Sequence, residues 1–316
     1  LREKDDLHVR LSPMPTALPL PVVAPGWSAW QALPSAAPLA ASVLAETLDG
    51  GQAFRWLRQP DDTWLGVFGE YVARLALDAS GRLHASAPTT LAPQALPALT
   101  RYLDADRDPH VLTDVLPWRS DTHLARCLAA FPGLRILRQP FDETLLGFLC
   151  SATKQIVQIK QMLALLAARH GAQLAPGFHR LPTWPELATI PEAELRGCLL
   201  GFRARYIHRT AQFLAAHPGW LAETETLPYA VAKERLCSLP GVGEKVADCV
   251  LLFGAGKLEA FPVNVWILKT MAHRYGLHDW KPAHVAHFGR IHFGARAGLA
   301  QQYLFAYERR AAKARA

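Results

Sequence analysis

The chain has 316 residues, 50% of them hydrophobic, with Lys+Arg 34 against Asp+Glu 27 and a formal net charge of +7. That length suits two domains with a real core, and that apolar share excludes a disordered chain. The positive excess suits a polyanionic partner, while the absence of any run of about 18 apolar residues excludes a membrane-spanning helix.

Residues 1–41 read as a Pro/Ala-rich leader. Pro13, Pro15, Pro19, Pro21, Pro25, Pro34 and Pro38 suit an extended segment laid on the surface with no regular core role. Residues 42–117 carry strand signals: 50–56, 63–68 and 71–77 are short, aromatic or β-branched, and separated by Asp, Pro and Gly turns. Asp78-Ala-Ser-Gly81 followed by 82–86 reads as a hairpin, and 93–104 as a helix. From 118 to 316 the pattern turns helical, with helices expected near 121–131, 142–150, 154–170, 183–189, 192–198, 203–217, 228–238, 244–254, 264–275 and 296–312. The expected fold is α+β: a small antiparallel sheet domain joined to a larger all-α domain. No fixed-period repeat supports a solenoid.

Five cysteines (Cys127, Cys150, Cys198, Cys237, Cys249) form no Cys-x-x-C pair, which fits reduced thiols and excludes a four-cysteine iron–sulfur loop. His284, His287 and His292 lack a third ligand of metal-site spacing and read as a solvated helix face. Arginines gather at Arg203, Arg205 and Arg209, and basic residues again at Arg309, Arg310, Lys313 and Arg315.

The chemistry is concentrated in Leu236-Cys-Ser-Leu-Pro-Gly-Val-Gly-Glu-Lys-Val-Ala-Asp-Cys249. It reads as a helix end, a tight turn in which Gly241 and Gly243 can take positive φ, and a second helix. Val246, Cys249, Val250 and Phe253 recur at helical spacing and define one apolar face. The free N–H groups of the turn and of the first helical turn can hold a phosphate without reading a base. Lys245, in that first turn and against an apolar face, can present a neutral nucleophilic amine, and Cys249 lies one turn further on. Asn264, after Pro262-Val263 and before a helical run, sits at an N-cap position. Glu244 and Asp248 read as a first-turn dipole partner and a helix-surface charge.

Leu239-Pro-Gly-Val-Gly243 resembles the helix-hairpin-helix of DNA glycosylases. With Lys245, Cys249 and Phe-Pro-Val-Asn-Val (261–265), the chain is similar to the 8-oxoguanine DNA glycosylase family over about residues 42–312. The resemblance implies a glycosylase/AP lyase that flips 8-oxoguanine out of duplex DNA, with Lys245 as Schiff-base nucleophile. The family's catalytic Asp falls on Asn264. An amide carries no charge there, so the chain is expected to be an impaired Asp-to-Asn variant, engineered rather than natural.

The resemblance further implies a base pocket of Gly51, Cys249, Gln301 and Phe305. It implies DNA contacts at Thr153, Lys154, Gln158, Arg203, Gly241, Val242, Gly243, Val246 and Trp266. Arg203 would read the opposite base, while Thr153, Gln158 and Trp266 stand where the family has other residues. The carbonyls of Cys237, Leu239 and Val242 match positions that hold a structural cation, sodium, potassium or calcium; no other cofactor is expected. The expected partner is duplex DNA carrying an oxidised purine, bound by a monomer in the cytoplasm or nucleus, with no membrane. The alternatives are a glycosylase for another damaged base, such as an alkylated purine, and a non-catalytic module that senses lesions.

Overall fold

A computed structural model describes residues 20–34 and 38–313. The chain begins with β1 (Gln31–Ala32), α1 (Ala41–Asp49), β2 (Trp56–Arg58), β3 (Trp64–Phe68), β4 (Tyr71–Leu77) and β5 (Leu83–Ser86). The strands form one antiparallel sheet in the order β1-β5-β4-β3-β2, with α2 (Ala92–Tyr102) packed on β4 and β5. Alternation in β3 buries Trp64, Gly66 and Phe68 on one face, as a half-covered strand requires. Gly66 is needed there, because a Cβ would lie 2.3 Å from the ring of Trp56. That indole in turn donates to Tyr102 Oη at 3.0 Å and ties the sheet to α2.

The leader is more than a surface wrap. Gln31 and Ala32 pair with Ala85 and His84 as the edge strand, Trp27 bridges to Pro88, and Leu33 is buried. Between Pro25 and Pro34 no proline interrupts the chain, so its N–H groups are free to join the ladder. Pro13, Pro15 and Pro19 lie outside the described residues. Residues 50–55 form turns rather than the expected strand, and α1 precedes them where no helix was expected.

The helical part comprises α3 (Pro109–Asp114), α4 (Thr122–Ala130), α5 (Phe141–Leu149) and α6 (Ile156–His170), then a ribbon of β6 (Gln173–Ala175) and β7 (Phe178–His179). It continues with α7 (Trp184–Thr189), α8 (Glu192–Leu195), α9 (Arg203–Ala216), α10 (Trp220–Thr226), α11 (Tyr229–Cys237) and α12 (Glu244–Phe253). It ends with α13 (Val265–Tyr275), α14 (Pro282–Phe293) and α15 (Ala297–Lys313). The elements that periodicity missed are short (α3, α10, the ribbon) or diluted by His and Gly (α14). Side-chain oxygens of Asp108, Asp121, Thr183 and Asn264 accept backbone N–H groups at the starts of α3, α4, α7 and α13.

Helix α12 is central. Beyond the expected apolar face, Ala247, Asp248, Leu251 and Leu252 are buried too, because α5 and α11 pack on it. At its end Gly298 lets α15 approach, since a Cβ there would lie 2.4 Å from Leu252 Cδ1 and 2.6 Å from the Ala260 carbonyl. The sheet and helical layers are joined by buried Gln52. Its Nε2 donates to the Arg135 carbonyl (2.8 Å), its Oε1 accepts the Leu137 N–H (3.0 Å), and its carbonyl accepts Gln139 Nε2 (2.7 Å). Gly51 is thereby held against the helical domain.

Candidate active site

The turn between α11 and α12 closes on the Val242 N–H, which donates to the Leu239 carbonyl at 3.1 Å. Gly241 has φ +80°, and a Cβ there would lie 2.8 Å from Tyr206 Cγ, so both conformation and space demand glycine. Gly243 differs from expectation. It is extended (φ −96°, ψ 177°) as the N-cap of α12, and a Cβ on it would meet open space. The fold itself therefore gives no reason for glycine at 243. The Val246 side chain is buried, which leaves its backbone as the part able to face a ligand.

Lys245 leaves the first turn of α12 partly buried. Its Nζ donates to Ser151 Oγ at 3.2 Å and lies 5.3 Å from the centroid of Phe148. Burial pushes the Cys249 thiol up to about 11, with neighbouring Lys245 pulling the other way, so the sulfur stays protonated at neutral pH. Ser151 and Phe148 were not singled out from the sequence. The signal available was that Ser151 follows Cys150 at the end of α5, the helix packed on α12.

Gly51 has φ +96° and stands beside two side chains. A Cβ on it would lie 3.2 Å from Ile156 Cδ1 and 3.8 Å from Phe305 Cε1. Phe305 lies 5.4 Å beneath the Arg309 guanidinium, which is itself fixed to Glu46 at 2.6 Å. Gln301, one turn earlier on α15, is 3% exposed, and its Oε1 has no hydrogen-bond partner among the described residues. Edge-to-face contact between Phe54 and Phe148 (5.3 Å) connects the Gly51 loop to the ring beneath Lys245. Lys245 with Cys249 and Gly51 with Phe305 thus form two groups, and Phe54, three residues after Gly51, touches the Phe148 ring of the first.

Other expected positions are engaged in structural bonds. Asn264 Oδ1 accepts the Ile267 N–H at 2.9 Å, so this amide caps α13. Gln158 folds back so that its Oε1 accepts the Gln155 N–H at 3.1 Å, closing a capping box on α6 instead of facing outward. Arg203, expected to read a base, is 2% exposed. Its guanidinium donates to the carbonyls of Leu200 and Ala152 and to Thr153 Oγ1, and lies 4.3 Å from the Phe202 centroid. As it stands it is a strut between α9 and the loop before α6 through its two terminal nitrogens, while its buried Nε has no partner among the described residues. Thr153 and Trp266 are exposed and Lys154 is half-buried.

Asp248 is the clearest correction. Expected on the surface, it is 1% exposed; its Oδ1 accepts Tyr229 Oη (2.7 Å) and its Oδ2 accepts Lys233 Nζ (3.1 Å). Burial pushes its carboxyl above the usual range, against the pull of Lys233 and Tyr229. Lys233 also reaches exposed Glu244 at 3.5 Å. This cluster bolts α11 to α12 just behind the turn.

Of the expected basic clusters, Arg205 and Arg209 are exposed, whereas Arg310 lies over Phe131 at 4.3 Å and donates to the Ala130 carbonyl. Arg315 and the side chain of Lys313 lie outside the described residues. His292 Nε2 is 3.1 Å from Asp121 and stacks on Phe288, and His284 meets Trp280 edge-on. Among the described residues no group of three or more His, Cys, Asp or Glu could hold a metal ion, and no helix is long and apolar enough to cross a membrane. In the turn, the Leu239 carbonyl already accepts one N–H and keeps its second lone pair.

Comparison with known proteins identifies the family of the chain. Residues 37–145 match the family described as 8-oxoguanine DNA glycosylase, N-terminal domain. The chain is 32% identical over 285 residues to an N-glycosylase/DNA lyase of Arabidopsis thaliana, covering 83% of this chain and 76% of the relative. It is 30% identical over 226 residues to a probable N-glycosylase/DNA lyase of Methanothermobacter thermautotrophicus, covering 63% and 71%. In structure it is similar to the 8-oxoguanine glycosylase/lyase of Clostridium acetobutylicum, solved with double-stranded DNA bearing cytosine opposite 8-oxoguanine. The TM-score is 0.78 at 30% identity, covering 85% of this chain and 92% of the other.

Proposed function

The chain belongs to the 8-oxoguanine DNA glycosylase family, and on that premise we propose that it acts on 8-oxoguanine in duplex DNA through Lys245, as a glycosylase and lyase. The observation that carries the assignment is the Lys245 amine, held by Ser151 and Phe148 directly after a turn whose open N–H groups suit a phosphate. The lesion base leaves the stack so that its sugar carbon C1′ comes to the amine. The amine attacks C1′, the C1′–base bond breaks, and the base departs with the electron pair and takes up a proton. Ring opening and loss of the amine proton give a Schiff base. Loss of a C2′ proton then expels the 3′ phosphate by β-elimination.

Gln301 suits the base edge, because its buried Oε1 is an unfilled acceptor awaiting a purine N–H. Phe305 supplies a stacking face, and Gly51, whose Cα side lies beside that ring, offers a backbone carbonyl as acceptor. The hairpin places the DNA backbone with no base selectivity. A hard cation on the carbonyls of Cys237, Leu239 and Val242 would steady that turn beside a phosphate and take no part in bond breaking.

Asn264 sets the rate. An amide cannot balance positive charge building on the sugar, so the chain binds its lesion better than it cuts it. The test is borohydride trapping with an 8-oxoguanine duplex. Asn264→Asp should raise the single-turnover rate by about 10²–10³ and give an adduct that Lys245→Gln abolishes. An Asn264→Asp variant that binds the lesion duplex but forms no adduct would sink the Schiff-base role. One inert on every damaged base would favour a lesion-sensing module.

A further inference from the structure

The Ser151 hydroxyl has its proton already committed. Oγ donates to the Phe148 carbonyl at 2.7 Å, a bond back into the last turn of α5. A hydroxyl carries one proton and two lone pairs, so only the lone pairs remain to face a second group. That group is Lys245, whose Nζ lies 3.2 Å away and can meet Ser151 only as a donor. Closing the end of α5 does not require the hydroxyl, because the Phe148 carbonyl also accepts the Ser151 backbone N–H at 3.0 Å.

The segment that carries this acceptor is fixed on both sides. Cys150 before it is fully buried, and the Ser151 carbonyl accepts the Lys154 N–H at 3.2 Å. Directly after it, the Ala152 carbonyl and Thr153 Oγ1 accept the Arg203 guanidinium, which ties the segment to α9. The other neighbours of the amine hold it less strictly. The Phe148 ring, 5.3 Å from Nζ, offers a face with no fixed bond direction. Cys249 offers a protonated thiol, a weak partner as donor or acceptor. Ser151 is thus the neighbour able to set the direction of the amine.

We propose that Ser151 is a positioning residue, an acceptor-only hydroxyl that pins one N–H of Lys245 and so aims the amine's lone pair. A neutral amine has two N–H groups and one lone pair. A serine with a free proton could donate to that lone pair and mask the nucleophile; one whose proton is held by Phe148 leaves it open. The proposal rests on the reading of Lys245 as the nucleophile, and it separates two reactions of that amine. Displacing a base requires the lone pair to approach C1′ from the side away from the departing base, which is a narrow path. A preformed abasic site presents an open-chain aldehyde. There the amine adds to the carbonyl carbon from a wider range of directions, water leaves, and the same Schiff base forms. Aim therefore matters for excision and little for cleavage at an existing abasic site.

The test uses the full chain carrying Asn264→Asp as parent, with two labelled duplexes, one bearing 8-oxoguanine and one a preformed abasic site. Single-turnover rates across a range of protein concentrations give the maximal rate and the half-saturating concentration on each. Ser151→Ala should lower the maximal excision rate on the order of tenfold to a hundredfold. Its half-saturating concentration should shift less than about twofold, and its cleavage of the abasic duplex should slow less than about threefold. Ser151→Thr, which keeps the hydroxyl and can bond the same carbonyl, should recover most of the excision rate. Equal losses on the two duplexes, an excision rate in Ser151→Ala equal to the parent's, or no recovery in Ser151→Thr would overturn the positioning role and leave the glycosylase reading intact. A parent that cleaves neither duplex would overturn both.

Discussion

Removing the Asp248 charge tests whether the hairpin is held by a buried ion pair or by apolar packing alone. In Asp248→Asn the Tyr229 hydroxyl can still bond to the side chain, so the change isolates Lys233. That ammonium is 15% exposed and would keep Glu244, 3.5 Å away and mostly in solvent, and a long bond to the Tyr229 hydroxyl at 3.4 Å. Breaking a buried pair by removing one partner costs about 3–5 kcal/mol, and the surviving Glu244 contact places this variant near the lower end. Lys233→Met leaves the carboxylate, 2% exposed as a side chain, with Tyr229 as its hydrogen-bond partner and the more distant Arg290 charge, and should cost nearer the upper end. The double variant Asp248→Asn/Lys233→Met strands no charge and should cost less than the two single variants together. The coupling should be at least about 2 kcal/mol. Urea unfolding followed by circular dichroism, with equal m-values for all four proteins, measures this cycle. Single variants that each cost under about 1 kcal/mol, or that simply add, would refute the reasoning.

Two further outcomes follow from the geometry. Gly243→Ala adds a methyl group where the chain leaves open space, so stability should hold or rise by about 0.4–1 kcal/mol while affinity for duplex DNA drops. Unchanged affinity in a filter-binding titration would remove the phosphate role from this position. Glu186 accepts both Arg180 Nη1 and Nη2 at 2.7 Å and the Thr183 N–H at 2.7 Å; the Arg180 bond foremost holds its carboxyl down at about 2, below the ordinary 4.5. A depressed carboxyl stabilises above its unfolded value and loses that contribution as pH falls through its folded one. The melting temperature should therefore fall between pH 4.5 and about 2, and fall less in Glu186→Gln. Parallel curves for the two proteins would contradict the assignment.

Residue type and spacing were enough wherever local rules decide. Apolar periodicity placed most of the longer helices, aromatic and β-branched runs marked β3 and β4, the turn at 78–81 marked β5, and the Pro-Gly turn followed by Lys245 located the centre of the site. Asn264 was legible as a cap because capping needs only the residue and its next three neighbours. What required the tertiary structure was every property set by residues distant in sequence. Asp248 reads as a surface charge until Tyr229 and Lys233 of α11 close on it, and Arg203 reads as a free donor until the loop at 152–153 engages its Nη2. Ser151 reaches Lys245 across 94 positions of chain, and Gly51 meets Phe305 only because Gln52 fixes its loop to the helical layer. Burial and partnership are sums over the whole fold, and a pattern of period two or three to four residues carries no record of them.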